Sequence, residues 1–89
     1  MKPCSYQILI EDVFNRQCDE QDLRVIFSAF ERIITSAILH AHNKVIEQYK
    51  VGDFNVSLCL KGAKDYCVWD VHFYSSVKFL KISGMCEIQ

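Results

Sequence analysis

Five cysteines and three histidines are the residues of this 89-residue chain with the widest chemical range. Thiolate and imidazole bind metals, act as nucleophiles and move protons near neutral pH. Their spacing supports none of these roles. His40 and His42 stand two apart in a helical stretch, so their rings diverge by about 200°. Cys59 and Cys67 are expected on opposite faces of a hairpin, and Cys59 and His72 on one face but far apart along it. No metal ion and no other cofactor is therefore expected. A Cys–His nucleophile pair meets only in a fold. The chain offers no nucleophile elbow, no paired carboxylates and, with three glycines, no phosphate-cradling loop, so it is expected not to be an enzyme. The odd set Cys4, Cys18, Cys59, Cys67 and Cys86 has no CxxC and no regular spacing, which argues against a disulfide framework.

Charged residues supply two binding candidates. Lys61, Lys64, Lys78 and Lys81 lie near Tyr66, Tyr74 and Phe79, a combination that stacks bases and neutralises phosphates. Asp65 and Asp70 interrupt it, and the net charge of −1 gives no field that attracts nucleic acid or an anionic membrane. Lysines at sheet edges also simply guard against aggregation. At the other end of the chain Glu11, Asp12, Asp19, Glu20 and Asp22 face only Arg16, an acidic contact candidate. Part of that acidity suits the positive end of a helix dipole.

These residues are positioned by few elements. Ser5–Ile10 reads as a strand with Tyr6, Ile8 and Ile10 on one face. From Asp19 to Val51 the apolar residues Leu23, Ile26, Phe27, Phe30, Ile33, Ile34, Ala37, Ile38, Ala41 and Val45 keep the i, i+3, i+4, i+7 rhythm of one helix face, roughly eight turns without Gly or Pro. Asp19 is the expected N-cap with Asp22 three residues on, and Gly52 the expected left-handed residue past the C-terminus.

After Gly52 the period becomes two. Phe54, Val56, Leu58 and Leu60 form the inward face of a strand, Gly62-Ala63-Lys64-Asp65 a turn, and Tyr66–Tyr74 the next strand. The expected pairs are Leu60–Cys67, Leu58–Trp69, Val56–Val71 and Phe54–Phe73. A tight Ser75-Ser76 turn then sets Val71 against Leu80, Trp69 against Ile82 and Asp70 against Lys81, with Lys78 pointing inward and snorkelling out to solvent, and the tail Gly84–Gln89 either loose or adding a short edge pairing. At these spacings Phe27, Phe30 and Trp69 read as core rather than a ligand box. The fold class is α+β, one long helix across an antiparallel sheet in the order β-α-β-β-β, with residues 1–89 forming a single domain.

Two features point to assembly. A helix of about 30 residues would be about 45 Å long and overhang strands of at most about 30 Å. Its back face, Val25, Leu39, Ile46 and Tyr49, has small neighbours (Ser28, Ala29, Thr35, Ser36) that suit a helix–helix seam, though Arg32 lies within it. The sheet's outer face carries Tyr66, Val68, His72, Tyr74, Val77 and Phe79, where antiparallel sheets are normally polar. With 51% hydrophobic residues, no apolar run of membrane-spanning length and no signal-like N-terminus, a cytoplasmic location with reduced thiols is expected. The functional expectation is a small non-enzymatic protein-binding protein (an inhibitor, immunity or accessory-type factor, as phages and mobile elements carry) acting as a homodimer. The alternative is a nucleic-acid-binding regulator using the lysine-bearing hairpin.

Overall fold

The computed structural model describes the backbone of residues 5–11, 18–38 and 45–87, with side chains from 18 to 37 and from 46 to 86. Among these residues the elements are β1 (Ser5–Glu11), α1 (Glu20–Ile38), β2 (Val45–Val51), β3 (Phe54–Gly62), β4 (Tyr66–Tyr74) and β5 (Phe79–Glu87). The class is α+β, with the helix laid on an antiparallel sheet of strand order β1-β5-β4-β3-β2. The chain order read from the sequence stands, with one strand added after the helix.

The helix starts as its sequence dictates. The Asp22 amide donates to Asp19 Oδ1 at 2.8 Å and the Asp19 amide to Asp22 Oδ2 at 3.1 Å, a reciprocal cap with Asp in place of the usual Glu. Its end differs from expectation. The helix has 19 residues, about 28 Å, and so matches the length of the strands beneath it. Residues 45–51, read as its last turns, form β2 instead. Valine at both ends, Ile46 and Tyr49 favour an extended chain, and Val51-Gly52-Asp53-Phe54 is a two-residue hairpin sequence. Gly52 is left-handed as expected, with φ of 57°, but at the first central position of the β2–β3 turn.

The helical overhang and the back-face seam are therefore corrected. Ile46 and Tyr49 lie on a strand, and Leu39 and Ala41 fall outside the described residues. Val25 serves the fold, because its Cγ1 lies 3.8 Å from where a Cβ on Gly52 would stand, against the β2–β3 turn. Ala29, read as a seam residue, is buried in the core.

The sheet pairs Leu60 with Trp69, Leu58 with Val71 and Val56 with Phe73, then Val71 with Ile82 and Phe73 with Leu80. Each partner is displaced by two residues from the expected one, which preserves the faces and changes the neighbours. The loops explain the displacement. The β3–β4 loop closes at Ala63 rather than at Lys61, two residues later than expected, with the Ala63 amide donating to the Tyr66 carbonyl at 2.7 Å. The β4–β5 loop takes four residues, Ser75–Lys78, because Ser75 holds it. Its amide donates to the Lys78 carbonyl at 2.9 Å, and its Oγ accepts from the Val77 and Lys78 amides at 3.3 and 3.1 Å. The expected Asp70–Lys81 pair is replaced by Asp70 opposite Ser83 and His72 opposite Lys81. Of the tail from Gly84, expected either loose or in a short edge pairing, residues 84–87 pair and complete β5 between β4 and β1.

The core lies between the helix and one sheet face. Ile26, Ala29, Phe30 and Ala37 meet Val56, Leu58, Leu60, Trp69, Val71, Phe73, Leu80 and Ile82, all buried. Phe30 and Trp69 stack at 5.4 Å with a 45° tilt, and Trp69 Nε1–H donates to Cys86 Sγ at 3.4 Å, which satisfies the buried indole. Phe30 and Trp69 are thus core, as their spacing indicates.

Candidate functional site

Strict alternation along β3, β4 and β5 turns one residue in two away from the helix, and the registers arrange these into rows across the outer face. Nearest the β4–β5 loop lie Lys50, Asn55, Tyr74 and Phe79, followed by Gln48, Ser57, His72 and Lys81. Next come Ile46, Cys59, Asp70 and Ser83, then Lys61, Val68 and Met85, with Tyr66 last. Five of the six expected outer-face residues are there. Val77 is the exception, held half-buried in the Ser75–Lys78 loop.

The face is not one apolar sheet. Val68 and Met85 oppose one another, each 51% exposed, with Tyr66 beside them. Tyr74 and Phe79 form a second apolar patch at the far end, where His72 meets Phe79 edge-on at 5.5 Å. Between them runs a polar strip of Ser57, Cys59, Asp70, His72, Lys81 and Ser83. Here the displaced register corrects an expectation: Cys59 lies directly opposite Asp70 and next to the row of His72, not far along the face. His72 Nε2 is 3.7 Å from Asp70 Oδ1, and Ser57 is the cross-strand partner of His72. Ser57, Ser83 and Met85 escaped sequence reasoning, and Asp70 was expected beside Lys81 rather than between Cys59 and Ser83, because only the loop's closing residue decides which side chains become neighbours.

Thiol, hydroxyl, imidazole and carboxylate thus share an open surface. Among the described residues, grooves border the helix instead, one of about 510 Å³ bounded by Phe27, Phe30, Ile34 and Trp69 among others. Among the described residues no group of three or more His, Cys, Asp and Glu is arranged to hold a metal ion. His40 and His42 lie outside the described residues.

The acidic candidates are engaged within the chain. Asp19 caps the helix, Glu20 pairs with Arg24 at 2.9 Å, and Asp22 holds the Lys78 ammonium. Asp12 and the Glu11 side chain lie outside the described residues. Partial burial works to raise the Asp22 carboxyl, but the hydrogen bonds from Lys78 and from the Asp19 amide outweigh it and hold it below the usual carboxylate range. The same bond to Asp22 raises Lys78. Lys78, expected to reach out to solvent, instead ties the β4–β5 loop to the helix N-terminus, leaving Lys61, Lys64 and Lys81 of the basic set.

Matched against family models, curated proteins and solved structures, the chain finds no counterpart. Function therefore rests on geometry alone.

Cys18, Cys59 and Cys67 are free thiols, with Cys18 and Cys67 pushed up chiefly by burial. Cys86 is disulfide-bonded, against the expectation of uniformly reduced cysteines. No helix among the described residues is long and apolar enough to cross a membrane. One further groove, about 300 Å³, runs between α1 and the open edge of β2, where Arg32, Ser36 and Tyr49 line it. Ile46, at 62% exposed, is the most open large hydrophobic side chain described.

Proposed function

We propose that this chain is a non-enzymatic protein-binding protein, of the inhibitor, immunity or accessory-factor kind, that acts as a homodimer and meets its partner with the outer face of the sheet. The observation carrying this reading is the Val68–Met85 pair, exposed on a face that antiparallel sheets normally keep polar. Tyr66 extends that patch, and the Tyr74–Phe79 patch lies about 20 Å away along the strands. A protein surface with two matching apolar contacts buries both patches, gaining about 25 cal/mol per Å² of apolar area. The polar strip between them fixes orientation, as polar groups in interfaces do. The cytoplasmic placement rests on the three free thiols and is opposed by the Cys86 disulfide.

The nucleic-acid alternative keeps Lys61 and Lys81 beside the outer-face aromatics. It has lost Lys78 to Asp22 and carries Asp70 in mid-face, where phosphate is repelled.

The test is capture of partners from the native host with wild type and with Val68→Glu/Met85→Glu, both shown folded by circular dichroism. Loss of a specific partner in the double variant is expected. Unchanged capture contradicts the proposal. A salt-sensitive gel shift abolished by Lys61→Glu/Lys81→Glu would replace it with the nucleic-acid reading.

A further inference from the structure

We infer that two copies of this chain pair edge to edge through antiparallel β2 strands centred on Gln48, joining two five-stranded sheets into one. The inference takes the homodimer of the proposed function as its premise and assigns its interface.

The edge is open and regular. β2 ends the sheet, pairs all seven of its residues with β3 without a bulge, and exposes every residue from Ile46 to Lys50. It contains no Pro and no Gly. Val51 and Phe54 close the two-residue Gly52-Asp53 turn, so Lys50, Gln48 and Ile46 aim their backbone N–H and C=O groups away from β3. Such an edge is a template for another strand unless charges or bulges guard it. Glu47 and Lys50 are its only charges, and they select the partner rather than forbid one.

Symmetry limits the choices. Two identical antiparallel edges share a two-fold axis normal to the sheet, so directly opposed residues point to the same face. Centring on Glu47 sets that carboxylate against its own copy. Centring on Tyr49 shortens the ladder and spends Ile46 on Gly52. Centring on Gln48 pairs the whole strand, with Ile46 against the aliphatic stem of Lys50 and Glu47 against Tyr49, and no like charges face each other.

Charge complementarity then identifies the occupant as a second copy rather than an arbitrary strand. Glu47 and Tyr49 point to the helix side, since their β3 partners are the buried Leu58 and Val56. Tyr49 shares its groove with Arg32. The second copy's Glu47, placed about 5 Å from Tyr49 in this register, brings its carboxylate to the mouth of that groove. Neither Arg32 nor Glu47 has an ion-pair partner among the described residues. Two-fold symmetry makes the contact twice.

Sedimentation equilibrium of the full chain tests this, with Glu47→Arg, Arg32→Glu, the double swap and Gln48→Pro beside wild type and all checked by circular dichroism. A wild-type dimer is expected, weakened at least about tenfold by either single charge reversal and restored by the double swap. Gln48→Pro, which removes an outward amide only, is expected to be a folded monomer. If the proline variant unfolds, the charge swap carries the test. A double swap as weak as the singles overturns the Gln48-centred register. A dimer indifferent to every variant overturns the β2 seam while leaving the homodimer. A wild-type monomer at high concentration overturns both, and partner capture by that monomer leaves the outer-face reading standing.

Discussion

Asp22 joins three parts of the chain in one side chain: it completes the helix cap, accepts from Lys78, and lies near the half-buried Cys18 thiol. Its folded pKa is depressed, so the stability it adds is present above the ordinary carboxylate range and lost as pH falls through the folded value, below about pH 4. Lys78 is raised, so its share is present below the ordinary lysine value of about 10.4 and lost as pH rises beyond it. Urea unfolding across the acid range is expected to show wild type losing more stability than Asp22→Asn; parallel acid limbs would remove this role. Asp19 and Asp22 were legible as a cap because they stand three apart. Lys78 was not legible as their partner, since 56 residues separate it from Asp22 and only the four-residue Ser75–Lys78 loop brings it over the helix.

At the scale of elements, α1 and the hairpin strands follow from periodicity, whereas β2 does not. Val45, Ile46 and Tyr49 continue the helical spacing by coincidence, and over seven residues an apolar pattern alone separates helix from strand poorly. The deciding signal is Gly52-Asp53, which suits a two-residue hairpin as well as a helix end. Gly52→Ala separates these roles. Open space surrounds the position except for Val25 at 3.8 Å, so the cost comes from the left-handed backbone, about 1 kcal/mol. The substitution is expected to lower stability by that amount and to speed amide exchange in β2 and β3 while leaving α1 protected. Exchange rising in α1 instead would place Gly52 at the helix.

For the whole molecule, the inner and outer faces were readable because a displacement of two residues preserves them, and the core is composed as the alternation indicates. The pairing was not, because no apolar pattern distinguishes Leu58–Trp69 from Leu58–Val71; hydrogen bonds at Ala63 and Ser75 choose. Leu58, fully buried opposite Val71, is expected to cost about 3 kcal/mol as Leu58→Ala, measured by denaturant midpoint, and a loss below about 1 kcal/mol would contradict its central place. The described helix matches the strands in length, so the proposed assembly rests on the sheet, with β2 proposed to join copies and the outer face left for a partner. Sedimentation equilibrium of the wild-type chain is the most direct measurement of that arrangement. A concentration-dependent mass approaching that of two 10.4 kDa chains is expected, and a 10.4 kDa species at every concentration would contradict it.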